Sequence, residues 1–310
     1  MASELPRSEK PLPPAVPLPS PVREFMTVVI FTAFTLVAFA ANSLLCRMAL
    51  GGSLIDPVSF TTLRLVSGAL ALFPIARLIG ESSPSQRTVG SWWSGFALFA
   101  YAAAFSLAYV SLNTGMGALI LFGSVQVTML GAALRSGERL GVVQWLGALA
   151  ALGGLVYLVL PGIAAPKPLG ALLMSGAGIA WGVYSILGRG APAPVVMTAG
   201  NFARTVPMAI LASAVAFSSI HLQPSGILLA LLSGVVTSGL GYILWYRVLR
   251  SLSTARAAVV QLMVPVLAAF GGVFFLSEQV SVRLVVASVL ILGGVALAVI
   301  KRQPEQVRVR

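Results

Sequence analysis

The chain has little of what an enzyme needs. Its 310 residues include one cysteine, Cys46, one histidine, His221, and one aspartate, Asp56. A single cysteine excludes a disulfide within the chain, and a lone histidine in a predicted loop excludes a paired-histidine metal site or a buried Ser-His dyad. One aspartate excludes an aspartyl pair, and no GxxxxGKS loop for nucleotide phosphates occurs. We therefore expect a protein that is not an enzyme and has no metal or cofactor.

Charge is also scarce. Only 9% of residues are charged, 58% are apolar, and the mean hydropathy is +0.96. A soluble domain cannot bury that much apolar surface, whereas a membrane-spanning helix needs roughly 20 mainly apolar residues. The alternating pattern of a transmembrane β-barrel is absent from the sequence. The sequence predicts an all-α integral membrane protein with ten transmembrane helices, near residues 26–46, 57–79, 92–110, 115–134, 142–160, 169–187, 195–217, 226–248, 256–276 and 282–300.

The two halves of the chain are similar in sequence. Residues 117–160 align without a gap on 257–300, at an offset of 140, so that Glu138 meets Glu278. Each half has five apolar runs, and an odd number of crossings turns the second copy upside down, as in the inverted repeats of secondary transporters. We predict two inverted five-helix repeats around a central cavity. The predicted units are a disordered Pro-rich arm (1–24), the repeats (25–162 and 163–301) and a basic tail (302–310).

The basic residues predict the orientation in the membrane. With the N-terminus in the cytoplasm, fifteen of the twenty Lys and Arg residues fall on the inner side and three on the outer side. This asymmetry obeys the positive-inside rule, so both termini are expected in the cytoplasm of a bacterium, with the protein in its cytoplasmic (inner) membrane. Topology accounts for the net charge of +12. No nucleic-acid partner is expected, because the charges form no stripe with interleaved aromatic residues.

All eight carboxylates lie in the termini or at helix ends. Proton-driven carriers commonly use a buried Asp, Glu or His near mid-membrane, and its absence from the sequence favours facilitated diffusion. Glu138 and Glu278, which match across the repeat, have two interpretations. They are solvated carboxylates that stabilise the N-termini of helices five and ten, or they take part in gating.

Two arginines, Arg64 and Arg204, fall inside apolar runs. A guanidinium in hydrocarbon costs at least ~2.5 kcal/mol, so each needs a reason to be there. One interpretation is that they snorkel or bind backbone carbonyls between the repeats. The other is that they attract an anionic group of the transported molecule, such as a carboxylate.

Polar and aromatic side chains recur on single faces of several helices. At an offset of 142 the first helices of the two halves align, so Phe39 meets Trp181, Asn42 meets Tyr184, and Ser43 meets Ser185. Such faces either hydrogen-bond to other helices or line a wet cavity that binds a ligand. Similar arguments select Tyr101, Phe105, Gln126, Tyr242 and Gln261 as cavity candidates, whereas Trp92, Trp93, Trp145, Trp245 and Tyr246 fit an interfacial aromatic belt.

The chain resembles the ten-helix EamA type of the drug/metabolite transporter superfamily over about residues 25–300. The resemblance is carried by the two five-helix halves, by the run AxxWGVYSILGR, and by QLMVPVLAAFGGVFFLSEQVSVRLVVASVLILGGVAL with its degraded partner SVQVTMLGAALRSGERLGVVQWLGALAALGGLVYL. It implies a helical basket around a central cavity, formed by helices one, three, four, six, eight and nine, with helices five and ten peripheral. The first half departs from the pattern at Phe39, where a Trp is common, and at Val125, where the second half has Pro265.

Within that superfamily the chain is most similar to bacterial exporters of aromatic and other neutral amino acids. The resemblance implies export of small amphiphilic metabolites from the cytoplasm by alternating access. The alternatives are a multidrug exporter, a purine- or nucleoside-type metabolite exporter, and a channel-like passive pore. The expected partners are a small-molecule substrate and the lipid bilayer, and a monomer is compatible with the sequence.

Overall fold

The computed structural model describes residues 21–78, 90–135, 137, 141–162, 165–188, 193–251 and 260–299. Apart from one isolated bridge between Ile55 and Leu222, these residues contain no β-structure. The helices are α1 (Pro21–Gly51), α2 (Pro57–Leu78), α3 (Trp92–Tyr109), α4 (Thr114–Arg135), α5 (Val142–Val159), α6 (Pro168–Leu187), α7 (Pro194–Val215), α9 (Met263–Leu276) and α10 (Val282–Val299). Helix α8 is composite: α-helical over Pro224–Leu232, π-helical over Ser233–Leu240 and α-helical again over Gly241–Ser251.

Proline begins several of these helices, where its missing N–H would have no intrahelical partner. Helix α1 begins at Pro21, so the last four residues of the predicted disordered arm are helical. Among the residues that the structure describes, seven helices are long and apolar enough to cross a membrane, and α9 and α10 are shorter apolar helices. The prediction of an all-α membrane protein of about ten helices is confirmed.

Helix packing repeats between the two halves. Helix α2 packs on α7, and α5 packs on α10. Helix α1 packs on α8 and α9, just as its counterpart α6 packs on α3 and α4. When each helix is replaced by its counterpart five places away in the chain, the α2–α7 and α5–α10 contacts stay the same, and the contacts of α1 become those of α6. This is the pattern expected of two repeats related by a two-fold axis.

The α5–α10 contact depends on glycine. A Cβ atom on Gly154 would lie 2.7 Å from Leu290 Cβ, and one on Gly294 would lie 2.5 Å from the Ala151 nitrogen. Neither distance leaves room for a side chain, so the two backbones approach as closely as small residues permit. These glycines are partners in the repeat alignment.

One end of the bundle, here called the upper end, gathers the loops that follow the odd-numbered helices. Its described residues are 52–56, 110–113, 160–162, 165–167, 216–223 and 277–281. Asp56 N–H donates to the His221 carbonyl, Gln223 N–H donates to the Leu54 carbonyl, and Arg283 donates to the Leu160 carbonyl. In the predicted topology this end faces away from the cytoplasm.

The tryptophans divide into two groups. Trp92, Trp93 and Trp145 are exposed, as an interfacial belt requires. The prediction was wrong for Trp245 and Tyr246, which are both buried. Trp245 packs against Phe39, with ring centroids 5.8 Å apart, because the lower part of α8 lies inside the bundle against α1.

Candidate functional site

A small internal cavity lies among α1, α3, α4, α6 and α8. Its volume is about 10 Å³, room for about one water molecule. All side chains that line it are buried, so the helices pack closely around it in this conformation. The lining side chains are Phe39, Asn42, Ser43, Tyr101, Phe105, Leu121, Phe122, Trp181 and Tyr242. Seven of these nine are residues that the sequence placed in a substrate cavity, all except Leu121 and Phe122.

Aromatic rings form most of the cavity wall. The Trp181 ring lies 4.9 Å from that of Tyr101 and 4.8 Å from that of Tyr242. Phe39 meets Trp181 edge-on at 6.0 Å, and Phe105 lies 5.4 Å from Tyr101. These rings come from four helices, so a movement between helices would expose flat apolar faces on which a planar side chain can stack.

Arg64 lies behind this wall and is only 1% exposed. Its Nε donates to Ser238 Oγ at 3.0 Å, and its Nη2 donates to the hydroxyl oxygens of Tyr101 at 3.1 Å and Tyr242 at 3.3 Å. The guanidinium carbon lies 5.2 Å from the ring centres of Tyr101 and Phe105. Nη1 has no hydrogen-bond partner within the described chain. Arg64 is thus held by neutral groups only.

Asn42 is fixed on the other side of Tyr101. Its Oδ1 accepts from Ser233 Oγ at 2.7 Å and from Thr237 Oγ1 at 3.0 Å, and its Nδ2 donates to the Tyr101 hydroxyl at 3.4 Å. Both oxygens of this amide–phenol pair therefore accept hydrogen bonds from protein donors.

The π-helical part of α8 supplies the hydroxyls that hold Asn42 and Arg64. Ser233, Thr237 and Ser238 all lie in this segment and are buried. π-helical turns are rare and are often found at functional sites. The sequence patterns did not single out these three residues. The available signal was the run SGVVTSGL, in which small hydroxyl residues interrupt an otherwise apolar span.

Four of the predicted cavity residues do not line the cavity. Tyr184 is buried below Trp181, with ring centroids 5.5 Å apart, and its hydroxyl accepts from Asn201 Nδ2 at 3.5 Å. Gln126 and Gln261 are buried, and Ser185 is half-buried. Gln126 Nε2 has no partner among the side chains that the structure describes. For these four residues, a place in the substrate cavity stays a prediction.

Arg204 lies apart from the cavity. Its Nη1 donates to the Gly200 carbonyl of its own helix at 2.8 Å, and its guanidinium carbon lies 6.0 Å from the Trp92 ring centre. The sequence allowed binding to backbone carbonyls between the repeats as one of two interpretations; the carbonyl bound here belongs to Arg204's own helix, so both interpretations stay predictions. Glu138 lies outside the described residues, so its gating role stays a prediction from the repeat alignment.

Glu278 takes part in a cluster that we call the upper clasp, made of Arg47, Thr114 and Glu278. Arg47 Nε lies 3.4 Å from Glu278 Oε1, and Thr114 N–H donates to Oε2 at 2.8 Å. Arg47 Nη1 also donates to the Tyr109 carbonyl at 3.1 Å. Ser277, at φ 53°, adopts a left-handed conformation that ends α9 and turns the chain just before Glu278. The clasp thus joins α1, α4 and the α9–α10 loop.

A wider pocket of about 450 Å³ lies beside the clasp at the upper end. It is lined by Glu278 and by polar side chains of three loops, including Asn113, Lys167 and Ser281. The clasp therefore stands at a vestibule whose wall contains several polar side chains. The central cavity has none of its lining residues in common with this vestibule.

The other described carboxylate at the upper end, Asp56, has a structural role. Its Oδ1 accepts from Val58 N–H at 3.1 Å and Ser59 N–H at 2.8 Å, which caps α2, and its Oδ2 accepts from His221 N–H at 3.0 Å. Partial burial acts to raise the pKa of this carboxyl, but hydrogen bonds from Ser59, His221 and Val58 outweigh it and lower the pKa below its usual value.

A bundle of apolar helices with an aromatic cavity at its centre and a clasped vestibule at one end is the arrangement expected of a multi-pass membrane transporter. Residues 168–300 match the EamA-like transporter family. An uncharacterized protein of Pseudomonas aeruginosa is 50% identical over 273 residues, which cover 88% of this chain and 94% of that protein. The chain belongs to the EamA-like transporter family and is a membrane transporter.

Two further similarities agree with this membership. An uncharacterized transporter of Archaeoglobus fulgidus is 23% identical over 262 residues, 80% of this chain and 90% of that protein. A crystal structure of a protein at 22% identity has a TM-score of 0.60, covering 86% of this chain and 95% of its own. At that identity the likeness concerns the fold alone. The family and the transporter class point away from an enzyme.

Proposed function

We propose that the protein exports aromatic and other neutral amino acids from the bacterial cytoplasm. The observation that carries the proposal is the central cavity, where Phe39, Tyr101, Trp181 and Tyr242 surround a few hydrogen-bonding groups. Aromatic faces suit a planar or branched side chain, and the polar groups suit the charged end of an amino acid. This is the substrate class that the resemblance of the sequence implied.

The proposed mechanism is alternating access. The cavity is small and its lining side chains are buried, and the upper clasp holds α1, α4 and the α9–α10 loop together at the vestibule. Opening toward the upper end requires that Arg47 and Glu278 separate. Because the helix contacts of the two halves correspond to each other, we expect a matching movement at the opposite end.

Transport is proposed to be facilitative. The carboxylates whose side chains the structure describes, Asp56 and Glu278, both lie at the upper end rather than beside the cavity. His221 also lies in an upper loop. No described Asp, Glu or His is thus placed to load a proton together with the substrate.

We place the protein in the cytoplasmic membrane with both termini in the cytoplasm. This orientation rests on the count of fifteen basic residues on the inner side against three on the outer side. Reporter fusions at the two ends test it. A C-terminal reporter that is active only in the periplasm would contradict the orientation.

The proposed function is tested by efflux. Bacteria that express the protein are loaded with tryptophan by feeding a tryptophan-containing dipeptide, and tryptophan in the medium is followed over time. We expect faster release than from cells with the empty vector, with phenylalanine and leucine behaving similarly. Release of purine nucleosides or cationic dyes, with amino acids unaffected, would favour the alternative exporter classes and overturn the proposal.

A further inference from the structure

We propose that the central cavity recognises its substrate by a carboxylate group, with Arg64 as the buried counter-charge, and that the ammonium group is not required. The inference rests on the proposed function and deepens it. It makes aromatic monocarboxylates the substrate class, with amino acids as one member. It follows from an excess of hydrogen-bond donors and positive charge at the cavity.

The amide and phenol oxygens around the cavity already accept hydrogen bonds from the protein. Asn42 Oδ1 accepts from two hydroxyls, and the Tyr101 oxygen accepts from Arg64 and from Asn42. The Tyr242 oxygen also accepts from Arg64. A ligand that brings only donors, such as an ammonium group, therefore meets phenol and amide oxygens that are already engaged.

Donors, in contrast, are left over. Because the oxygens of Tyr101 and Tyr242 both accept from Arg64 Nη2, their hydroxyl hydrogens point away from the guanidinium. Even when one phenol donates to the other, one hydroxyl hydrogen remains for a ligand. Trp181 Nε1 and Arg64 Nη1 are buried without a partner in the part of the chain that the structure describes. Buried donors of this kind call for an acceptor.

Charge selects the kind of acceptor. Arg64 is buried and forms no ion pair within the described residues, where the one salt bridge joins Arg47 to Glu278. An uncompensated buried guanidinium is costly, and an anion near Tyr101 and Tyr242 would compensate it through their hydroxyls. A carboxylate brings both the negative charge and several acceptor sites. Arg64 acts here as a positioning residue, because the lining phenols stand between it and the cavity.

The first test uses ligands that differ only in their charged group. Purified protein in detergent is heated with tryptophan, indole-3-propionate (no ammonium) or tryptamine (no carboxylate), and its melting temperature is recorded, since a ligand that binds the folded state stabilises it. We expect stabilisation by tryptophan and indole-3-propionate, with apparent dissociation constants within about threefold of each other and about 10- to 100-fold below that of tryptamine. Equal stabilisation by tryptamine would overturn the inference.

The second test changes the positioning residue. Arg64→Gln should raise the apparent dissociation constants of both carboxylates by about 10- to 100-fold and leave that of tryptamine unchanged. Arg77→Gln is the matched control, since Arg77 is an exposed arginine on the same helix. If Arg64→Gln does not fold, Tyr242→Phe removes one hydroxyl and keeps the ring, and should weaken carboxylates alone. Equal weakening of all three ligands would contradict the proposal.

These results are separable from those on export. Binding of carboxylates without tryptophan efflux from cells would contradict the proposed function and leave the recognition of carboxylates standing. Efflux of tryptophan together with binding of tryptamine as tight as that of tryptophan would contradict the carboxylate site and leave the proposed export function standing. Binding of none of the three indole compounds would contradict the carboxylate site.

Discussion

Trp181 is the residue on which the proposed recognition of aromatic side chains depends most. Its ring lies against Tyr101 and Tyr242 at the cavity, and it is 4% exposed. Trp181→Ala should reduce transport of tryptophan about fivefold relative to transport of alanine, because stacking and desolvation of a large ring are worth about 1 kcal/mol or more. Counterflow of the two labelled amino acids in liposomes measures this ratio.

Trp92→Ala is the control for Trp181→Ala. Trp92 is 61% exposed at the start of α3, where a lipid interface would surround it. The ratio of tryptophan to alanine transport should stay as in the wild type. Amounts of folded protein must be matched, since loss of a buried tryptophan also destabilises the fold. If the ratio of tryptophan to alanine transport is that of the wild type in Trp181→Ala but altered in Trp92→Ala, the cavity has been assigned to the wrong helix faces.

Asp56 predicts a pH dependence of stability. The pKa of its carboxyl is lower in the folded state than in the unfolded state. Its contribution to the free energy of unfolding is therefore fully present above the unfolded pKa of about 4 and is lost as the pH falls through the folded pKa. The melting temperature of the purified wild type should thus fall on acidification. Asp56→Asn should melt lower at neutral pH and lose less on acidification. Identical acid curves for the two proteins would show that Asp56 is not the group responsible.

Sequence reasoning identified aromatic and amide side chains of the cavity better than hydroxyl ones. Asn42 and Tyr101 stand out, because an amide or a phenol facing lipid would leave polar groups unpaired. Phe39 and Trp181 were selected because they align across the repeat and share helix faces with polar residues. Ser233, Thr237 and Ser238 stand out less, because a small hydroxyl in an apolar helix can bond to its own backbone, so the run SGVVTSGL is a weaker signal. Thr237 shares its one hydroxyl hydrogen between the Ser233 carbonyl, at 2.9 Å, and Asn42 Oδ1, at 3.0 Å.

At the scale of elements, the α5–α10 pair gives a sharp test of packing. Gly153 and Gly154 are neighbours on α5, but a Cβ atom on Gly153 meets nothing within 4 Å, whereas one on Gly154 lies 2.7 Å from Leu290 Cβ. Gly154→Ala should lower stability by about 1–3 kcal/mol through overpacking. Gly153→Ala, the matched control, should be neutral or slightly stabilising because alanine favours the helix.

Thermal unfolding of the two purified variants in the same detergent measures this difference. A lower melting temperature for Gly154→Ala than for Gly153→Ala supports the close contact between the helices. Equal melting temperatures would mean that α5 and α10 are further apart than the structure places them.

The upper clasp predicts how the vestibule opens. Glu278→Gln removes the charge that pairs with Arg47 and weakens the bond from Thr114, so the upper end should open more often, by about tenfold if the loss is about 1.4 kcal/mol. The sole cysteine of the chain, Cys46, allows a clean measurement. In a Cys46→Ala background, Ser43→Cys places a thiol in the cavity wall for labelling by a membrane-impermeant maleimide from the upper side.

The adjacent exposed residue provides the control for this experiment. Gln279 lines the vestibule but takes no part in the clasp. Gln279→Ala should therefore leave the labelling rate of the thiol unchanged, while Glu278→Gln raises it. The same rate in both variants would show that the clasp does not hold the upper end closed.

At the scale of the whole molecule, the sequence was sufficient to predict the class of fold. The spacing of apolar runs predicted an all-α membrane protein. The sequence alignment that pairs Glu138 with Glu278 predicted an inverted repeat of the two halves, and the helix packing supports it. The closed conformation could not be predicted. It depends on how side chains such as Trp181 and Tyr242 fill the space between helices, and the pattern along one helix does not specify the separation of two. The π-helical segment of α8 was also not predicted, because its sequence does not distinguish a π-helix from an α-helix.

Counterflow into liposomes that contain the purified protein tests the central claim most directly. Liposomes loaded with unlabelled tryptophan are diluted into a trace of labelled tryptophan, and the internal label is followed with and without an imposed pH gradient. We predict saturable uptake that requires internal tryptophan, is inhibited by phenylalanine, and gains little from the pH gradient, as a facilitative alternating-access carrier requires. Uptake that rises linearly with tryptophan concentration and ignores the internal pool would indicate a passive pore, and strong accumulation driven by protons alone would show a proton-coupled carrier. Either result would contradict the account.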